Sequence, residues 1–200
     1  KALRGVSLGL EAGEMIALVG PSGSGKSTLL HCLAGLDEPD GGVVNVAGEP
    51  MTRRPETERR RLRARHMGIM RQKDNLFPHL SVAQNAALTR QLAGVAEDGQ
   101  SDGVFHRIGI HDRTASLPPQ LSGGERARAG LAVAMASHPK ILLLDEPTGE
   151  VDAETEKAIL ALLANYRAEG GAIVVATHNP AVARLASLAM NMKDGKIVDA

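Results

Sequence analysis

The apolar residues of this chain gather in short unbroken runs, and between those runs they return at helical spacing. GEMIALVG, from Gly13 to Gly20, is a glycine-bounded apolar run and predicts a buried strand. After a glycine-rich loop, KSTLLHCLAGL carries helical apolar spacing and stops at Gly35. GGVVNVAGEP predicts a short hairpin at a sheet edge. TERRRLRARHMGIMRQ starts as an arginine-rich helix and turns into a strand near Met67 to Met70. KILLLDEP and GAIVVATH read as two more strands, with a helix from Asp152 to Ala168 between them. NPAVARLAS adds a short helix, and LAMNMKDGKIVDA closes as a hairpin turning at Asp194–Gly195. Lys1 falls inside what reads as a strand, so the true N-terminus is expected to be missing.

From Gln72 to about Gly130 the texture changes. Turn signals at NLFPHLS and LPPQLSGG bracket helical stretches at Val82–Leu92 and Gly103–Gly109, with EDGQSDG as the loop between them. The pattern is one α/β domain over 1–200, with a core of about 1–72 and 131–200 and a helical subdomain at about 73–130. Strands alternating with helices predict a mainly parallel sheet covered on both faces.

Composition narrows this picture in three ways. Lys+Arg and Asp+Glu both number 23, so net charge gives no electrostatic footprint for nucleic acid. Two phenylalanines, one tyrosine and no tryptophan leave little for stacking bases, and no nucleic-acid partner is expected. Cys32 is the only cysteine, which excludes an internal disulfide or cysteine zinc site and reads as a small buried apolar residue. No apolar run approaches the ~18 residues that a spanning helix needs, and no signal peptide is visible, so a cytosolic location is expected.

Chemistry enters at Gly20, Pro21, Ser22, Gly23, Ser24, Gly25, Lys26 and Ser27, which fit G-x-x-x-x-G-K-[ST] between a buried strand and a helix. Glycines let the backbone turn and aim successive N–H groups at one anion, and the helix start adds its positive end. Lys26 then reaches the β- and γ-phosphates, Ser27 ligates Mg²⁺, and Thr28 donates to the α-phosphate. ILLLDEP sets Asp145 and Glu146 at the carboxyl edge of the sheet, where such folds bind ligands. Neighbours in an extended chain point opposite ways, which gives Asp145 to the metal shell and Glu146 to the attacking water. An acidic strand end that caps the next turn is the alternative for that pair taken alone.

Together these residues resemble the nucleotide-binding domain of ABC ATPases. The motifs stand in that family's order: the phosphate loop, Gln72 after a strand, LSGGE at Leu121–Glu125, ILLLDEP, Asp152, and ATH ending at His178. The resemblance covers essentially the whole chain. It implies a P-loop core with a mainly parallel sheet, an antiparallel edge subdomain and an inserted helical subdomain. It implies a head-to-tail homodimer in which Ser122, Gly123 and Gly124 hold the γ-phosphate of ATP bound to the partner's phosphate loop. The same residues are expected to cap their own helix. By resemblance Gln72 contacts Mg²⁺ or water, His178 bonds the γ-phosphate and steadies Glu146, and Asp152 is the aspartate of the family's D-loop, counted among the nucleotide-binding residues. Alone, Gln72 reads as a solvated side chain and His178 as a structural one.

The resemblance also implies a separate membrane permease, met beside Gln72–Ser81 by Leu76 and Phe77, and a place on the cytoplasmic face of the membrane. GLDEPDGGVV is similar to the lipoprotein-releasing and macrolide-export branch and its cell-division relative. The alternatives are a soluble mechanoenzyme on ribosomes or DNA, or a P-loop kinase or passive nucleotide-binding module. The chain departs from the family at Glu150–Val151, at Val133 where arginine is frequent, and at Asn179 where many relatives have aspartate. No aromatic residue precedes Gly20 to stack on adenine. The run Arg53–Arg65 reads as a solvated helix face, with an anionic partner as its alternative.

Overall fold

The computed structural model describes residues 2–96, 100–149 and 151–199. In chain order its first half runs β1 (Met15–Val19), α1 (Lys26–Leu33), β2 (Asn45–Val46), β3 (Glu49–Pro50), α2 (Glu56–His66), β4 (Met67–Met70) and α3 (Val82–Ala93). Then come α4 (Gln100–Arg107), α5 (Gly123–Met135), β5 (Ile141–Asp145), α6 (Ala153–Ala168), β6 (Ala172–Thr177), α7 (Pro180–Leu185), β7 (Leu188–Lys193) and β8 (Lys196–Asp199). The six-stranded sheet has the order β4-β5-β6-β1-β7-β8, parallel except for the terminal β7–β8 hairpin. Among the described residues no helix is long and apolar enough to cross a membrane.

Period-two alternation builds two cores from the same strands. Met15, Ala17, Leu142, Leu144, Ile173 and Val175 face one layer, with α5 and α6. Ile16, Leu18, Leu143, Val174 and Ala176 face the other, with Leu29 and Leu30 of α1. Because both faces are covered, the strands read as continuous apolar runs. Cys32 is buried in this interior, and burial pushes its thiol pKa up. Val133 is also buried, so the position where relatives often carry arginine belongs here to the apolar core.

Helix α5 sits very close to the sheet. A Cβ on Gly68 of β4 would collide with the carbonyl oxygen of Ala134, so glycine permits that approach. Helix α3 shares the core layer of α5 and opens with a capping box between Ser81 and Gln84. Asn85 is 2% exposed and ties the preceding turn together, accepting from the Phe77 N–H and donating to the Leu80 and Ser81 carbonyls.

Three expectations are corrected. No strand forms among residues 2–14; that segment lies along the core, pinned by the Arg4 N–H to the Gly195 carbonyl. Leu3, Val6, Leu8 and Leu10 pack on the interior, which gave the segment its strand-like apolar spacing. The β2–β3 hairpin exists but pairs only with itself, as a separate two-stranded sheet. Helix α4 begins at Gln100, inside the stretch read as a loop, while residues 97–99 and Glu150 lie outside the described residues. The arginine run leads into α2, and its arginines divide between paired and exposed. Arg54, Arg59 and Arg63 pair with Glu58, Glu38 and Glu56, while Arg60, Arg61 and Arg65 are exposed.

Candidate functional site

The carboxyl ends of β1, β4, β5 and β6 lie at one edge of the sheet, where the parallel order forces their following loops together. At β1 the chain turns through Gly20, Gly23 and Gly25, all with positive φ. A Cβ on Gly20 would run into the Met192 carbonyl oxygen. Gly25 caps α1 without a side chain, and the first turn of α1 holds no acidic residue, so the helix presents bare N–H groups. Lys26 is 9% exposed and its Nζ donates to the Gly20 and Pro21 carbonyls at 2.7 and 3.0 Å. The ammonium is thereby folded over the loop, where an anion cradled by the N–H groups would meet it.

At β5 the strand ends with Asp145, and Glu146 takes φ 51. The two acids therefore diverge through a left-handed turn at Glu146, which corrects the expectation of an extended pair. A left-handed glutamate costs on the order of 1 kcal/mol or more and is characteristic of functional sites. The Glu146 N–H still donates to the Ala176 carbonyl at 2.9 Å, which fixes the turn against β6. From the end of β6, His178 places Nδ1 2.9 Å from Glu146 Oε1, and its N–H donates to Oε2 at 3.3 Å. The Glu146 side chain is 13% exposed and the His178 ring 72%. One carboxylate is thus gripped at both oxygens by a residue that itself opens to solvent.

Gln72 follows β4 and is exposed. Its loop is closed by Asn75, which accepts from the Arg71 N–H and donates to the Arg71 carbonyl. One groove of about 1110 Å³ brings together Gly20, Pro21, Ser22, Gly23, Gly25, Lys26, Ser27 and Thr28 with Gln72, Asp145, Glu146 and His178. Gly123 and Arg126 of α5 line its other side. Ser24 is buried beneath the loop, its hydroxyl unpartnered.

Ser122, Gly124 and Asp152 do not line that groove. Ser122 caps α5 in a reciprocal box with Glu125. Asp152 caps α6 by accepting from the Thr155 N–H and hydroxyl, which hold its carboxyl below the usual range. Its Oδ2 lies 3.5 Å from where a Cβ on Gly124 would stand, so these two motifs adjoin each other within the chain. Sequence reasoning missed Arg126, which gave no signal, and noted Asn179 only as a departure from the family.

Magnesium, the usual companion of a triphosphate, suits these donors. Ser27, Gln72 and Asp145 offer oxygen atoms in one groove, and among the described residues no cluster of three His, Cys, Asp or Glu competes for it. Magnesium takes few protein ligands beside phosphate oxygens and water.

The family model described as ABC transporter matches residues 3–149. This chain belongs to the ABC transporter family. The cassette is 39% identical over 203 residues to the lipoprotein-releasing system ATP-binding protein LolD of Paramagnetospirillum magneticum, covering all of this chain and 90% of that protein. It is 37% identical over 201 residues to the macrolide export ATP-binding/permease protein MacB of Shigella flexneri, covering 99% of this chain but only 31% of that one. The dimeric structure of the bacterial ABC transporter cassette MJ0796 superposes with a TM-score of 0.93 at 33% identity, covering 99% of this chain and 89% of that one. The post-hydrolysis dimer of the same cassette, bound to ADP and Pi, gives 0.92 at 32% identity, with the same coverage. The cassette is an ATP-binding ABC ATPase with the predicted mixed α/β fold, and the two MJ0796 structures it resembles are dimeric.

Proposed function

We propose that this cassette hydrolyses magnesium-bound ATP in the groove at the sheet edge and drives a separate membrane permease by closing and opening as a head-to-tail homodimer. The N–H groups of Gly23 to Thr28 cradle the phosphates, and Lys26 neutralises the β- and γ-oxygens. Ser27, Gln72 and Asp145 would hold magnesium, which would supply positive charge to the phosphate oxygens. Glu146 orients the attacking water and accepts its proton, while His178 keeps the carboxylate aimed and bonds the γ-phosphate. The observation that carries this reading is the Glu146–His178 contact in the same groove as Lys26.

The partner copy completes the site through α5. Ser122 spends its N–H and hydroxyl on Glu125, which leaves the Gly123 and Gly124 N–H groups for an anion. These donors lie across the groove mouth or outside it in their own chain, which favours delivery to a partner's nucleotide. The solved dimers of a structural neighbour support dimerisation. Asp152, adjoining Gly124, acts at that interface. Residues 73–130 form the moving helical subdomain, and Phe77, 61% exposed beside Gln72, meets the permease. The relatives LolD and MacB favour the lipoprotein-releasing and macrolide-export type of transport, on the cytoplasmic face of the membrane.

Glu146→Gln tests the chemistry. It should retain ATP binding and lower phosphate release by ~10²–10⁴-fold. Undiminished turnover removes Glu146 from the mechanism.

A further inference from the structure

Asn179 touches neither Glu146 nor the groove, yet its side chain joins the segments that carry the reacting groups. It follows His178 and caps α7, with Oδ1 accepting from the Ala181 N–H at 2.8 Å. Its own N–H donates to the hydroxyl of fully buried Thr177 at 3.0 Å, anchoring the turn to β6. The Nδ2 group then donates twice: to Thr148 Oγ1 at 3.1 Å and to Glu156 Oε2 at 2.8 Å. Thr148 belongs to the tight turn after β5, closed by the Gly149 N–H on the Glu146 carbonyl. Glu156 stands in the first turn of α6, and its N–H bonds the carbonyl of Asp152.

The amide orientation is fixed by its partners, since the Ala181 N–H only donates and the Glu156 carboxylate only accepts. An aspartate at this position would cap α7 equally well. It would also place a second carboxylate at hydrogen-bond distance from Glu156, where like charges cannot both stay ionised without separating. Among the described residues Glu156 has no side-chain partner besides Asn179. The neutral donor at 179 and the acceptor at 156 are therefore a matched pair.

We infer that Asn179 is a positioning residue for hydrolysis. Its amide, matched to Glu156, clamps the turn after β5 and the start of α6 to the end of β6, and so fixes Glu146 against His178. This rests on the assignment of Glu146 and His178 as the reacting pair. Glu146 is held in a left-handed turn and His178 is mostly exposed, so neither fixes the geometry unaided.

The test uses the full chain with magnesium and ATP, comparing Asn179→Asp, Glu156→Gln and their combination, with Glu146→Gln as the reference. Asn179→Asp should lower kcat by ~10-fold with KM for ATP unchanged, because misplacement affects the reacting groups and not the phosphate cradle. Glu156→Gln alone, whose Oε1 still accepts, should stay within ~2-fold of the parent, and the double variant should recover most of kcat. Full activity in Asn179→Asp, or a double variant no better than the single, overturns the inference. Should Asn179→Asp not fold, Asn179→Ser keeps the helix cap and loses the bridge; its unaltered kcat would equally overturn it. Undiminished hydrolysis by Glu146→Gln refutes the underlying assignment instead, so the two failures are separable.

Discussion

His178 holds Glu146 by both carboxylate oxygens, one through the ring and one through the backbone. Removing the ring leaves the backbone hydrogen bond in place. His178→Ala should therefore keep nucleotide binding and lower kcat by ~10²-fold, through loss of aim and of the proposed γ-phosphate contact. Steady-state phosphate release beside a nucleotide-binding titration checks this; a change confined to KM would assign His178 to binding alone.

Reciprocal donation across a dimer has a mixing signature. Lys26→Ala disables a chain's own phosphate loop, and Ser122→Arg blocks the donors it lends. If the donors are shared as proposed, each variant alone has no sound site, whereas the heterodimer retains one. Mixed, crosslinked samples should show ATPase activity above either parent variant, and failure to exceed both would disprove sharing.

The contact of α5 with β4 predicts stability independently of chemistry. Gly68→Ala would drive a methyl into the Ala134 carbonyl, with Leu142 and Pro139 close by. Overpacking of this kind costs ~1–3 kcal/mol. A drop in Tm of roughly 2–4 °C per kcal/mol should follow. An unchanged Tm would mean that α5 is free to shift away from the sheet.

Glu125 predicts an acid dependence. Its carboxyl is lowered to about 2 by the Ser122 N–H first, then by the Arg113 guanidinium and the Ser122 hydroxyl. The folded value lies below the ordinary 4.5, so this stabilisation is full above about 4.5 and is lost as pH falls through about 2. Glu125→Gln, which can still cap α5, should flatten the fall in urea midpoint between those pH values; parallel curves for variant and parent would refute the linkage. Because the site is solvated, added salt should shrink the effect.

The local grammar of the chain determined most elements and nearly all of the groove. Short glycine-bounded apolar runs fit strands buried on both faces, and a glycine loop with lysine and serine between strand and helix fits a phosphate cradle. Those signals span a few residues each, so sequence alone carries them. Tertiary structure decided what depends on partners far along the chain. The apolar spacing of Leu3 to Leu10 is the spacing of a strand, yet no neighbouring strand offers a ladder to it. The left-handed turn at Glu146 is tied to the Ala176 carbonyl across the sheet. Asn179 reaches residues 31 and 23 positions away, and whether its amide meets a carboxylate or water is settled only when β5, β6 and α6 are packed. Hydrogen-bond partners at such separations are fixed by the packing of whole elements, to which no local pattern of residues gives access.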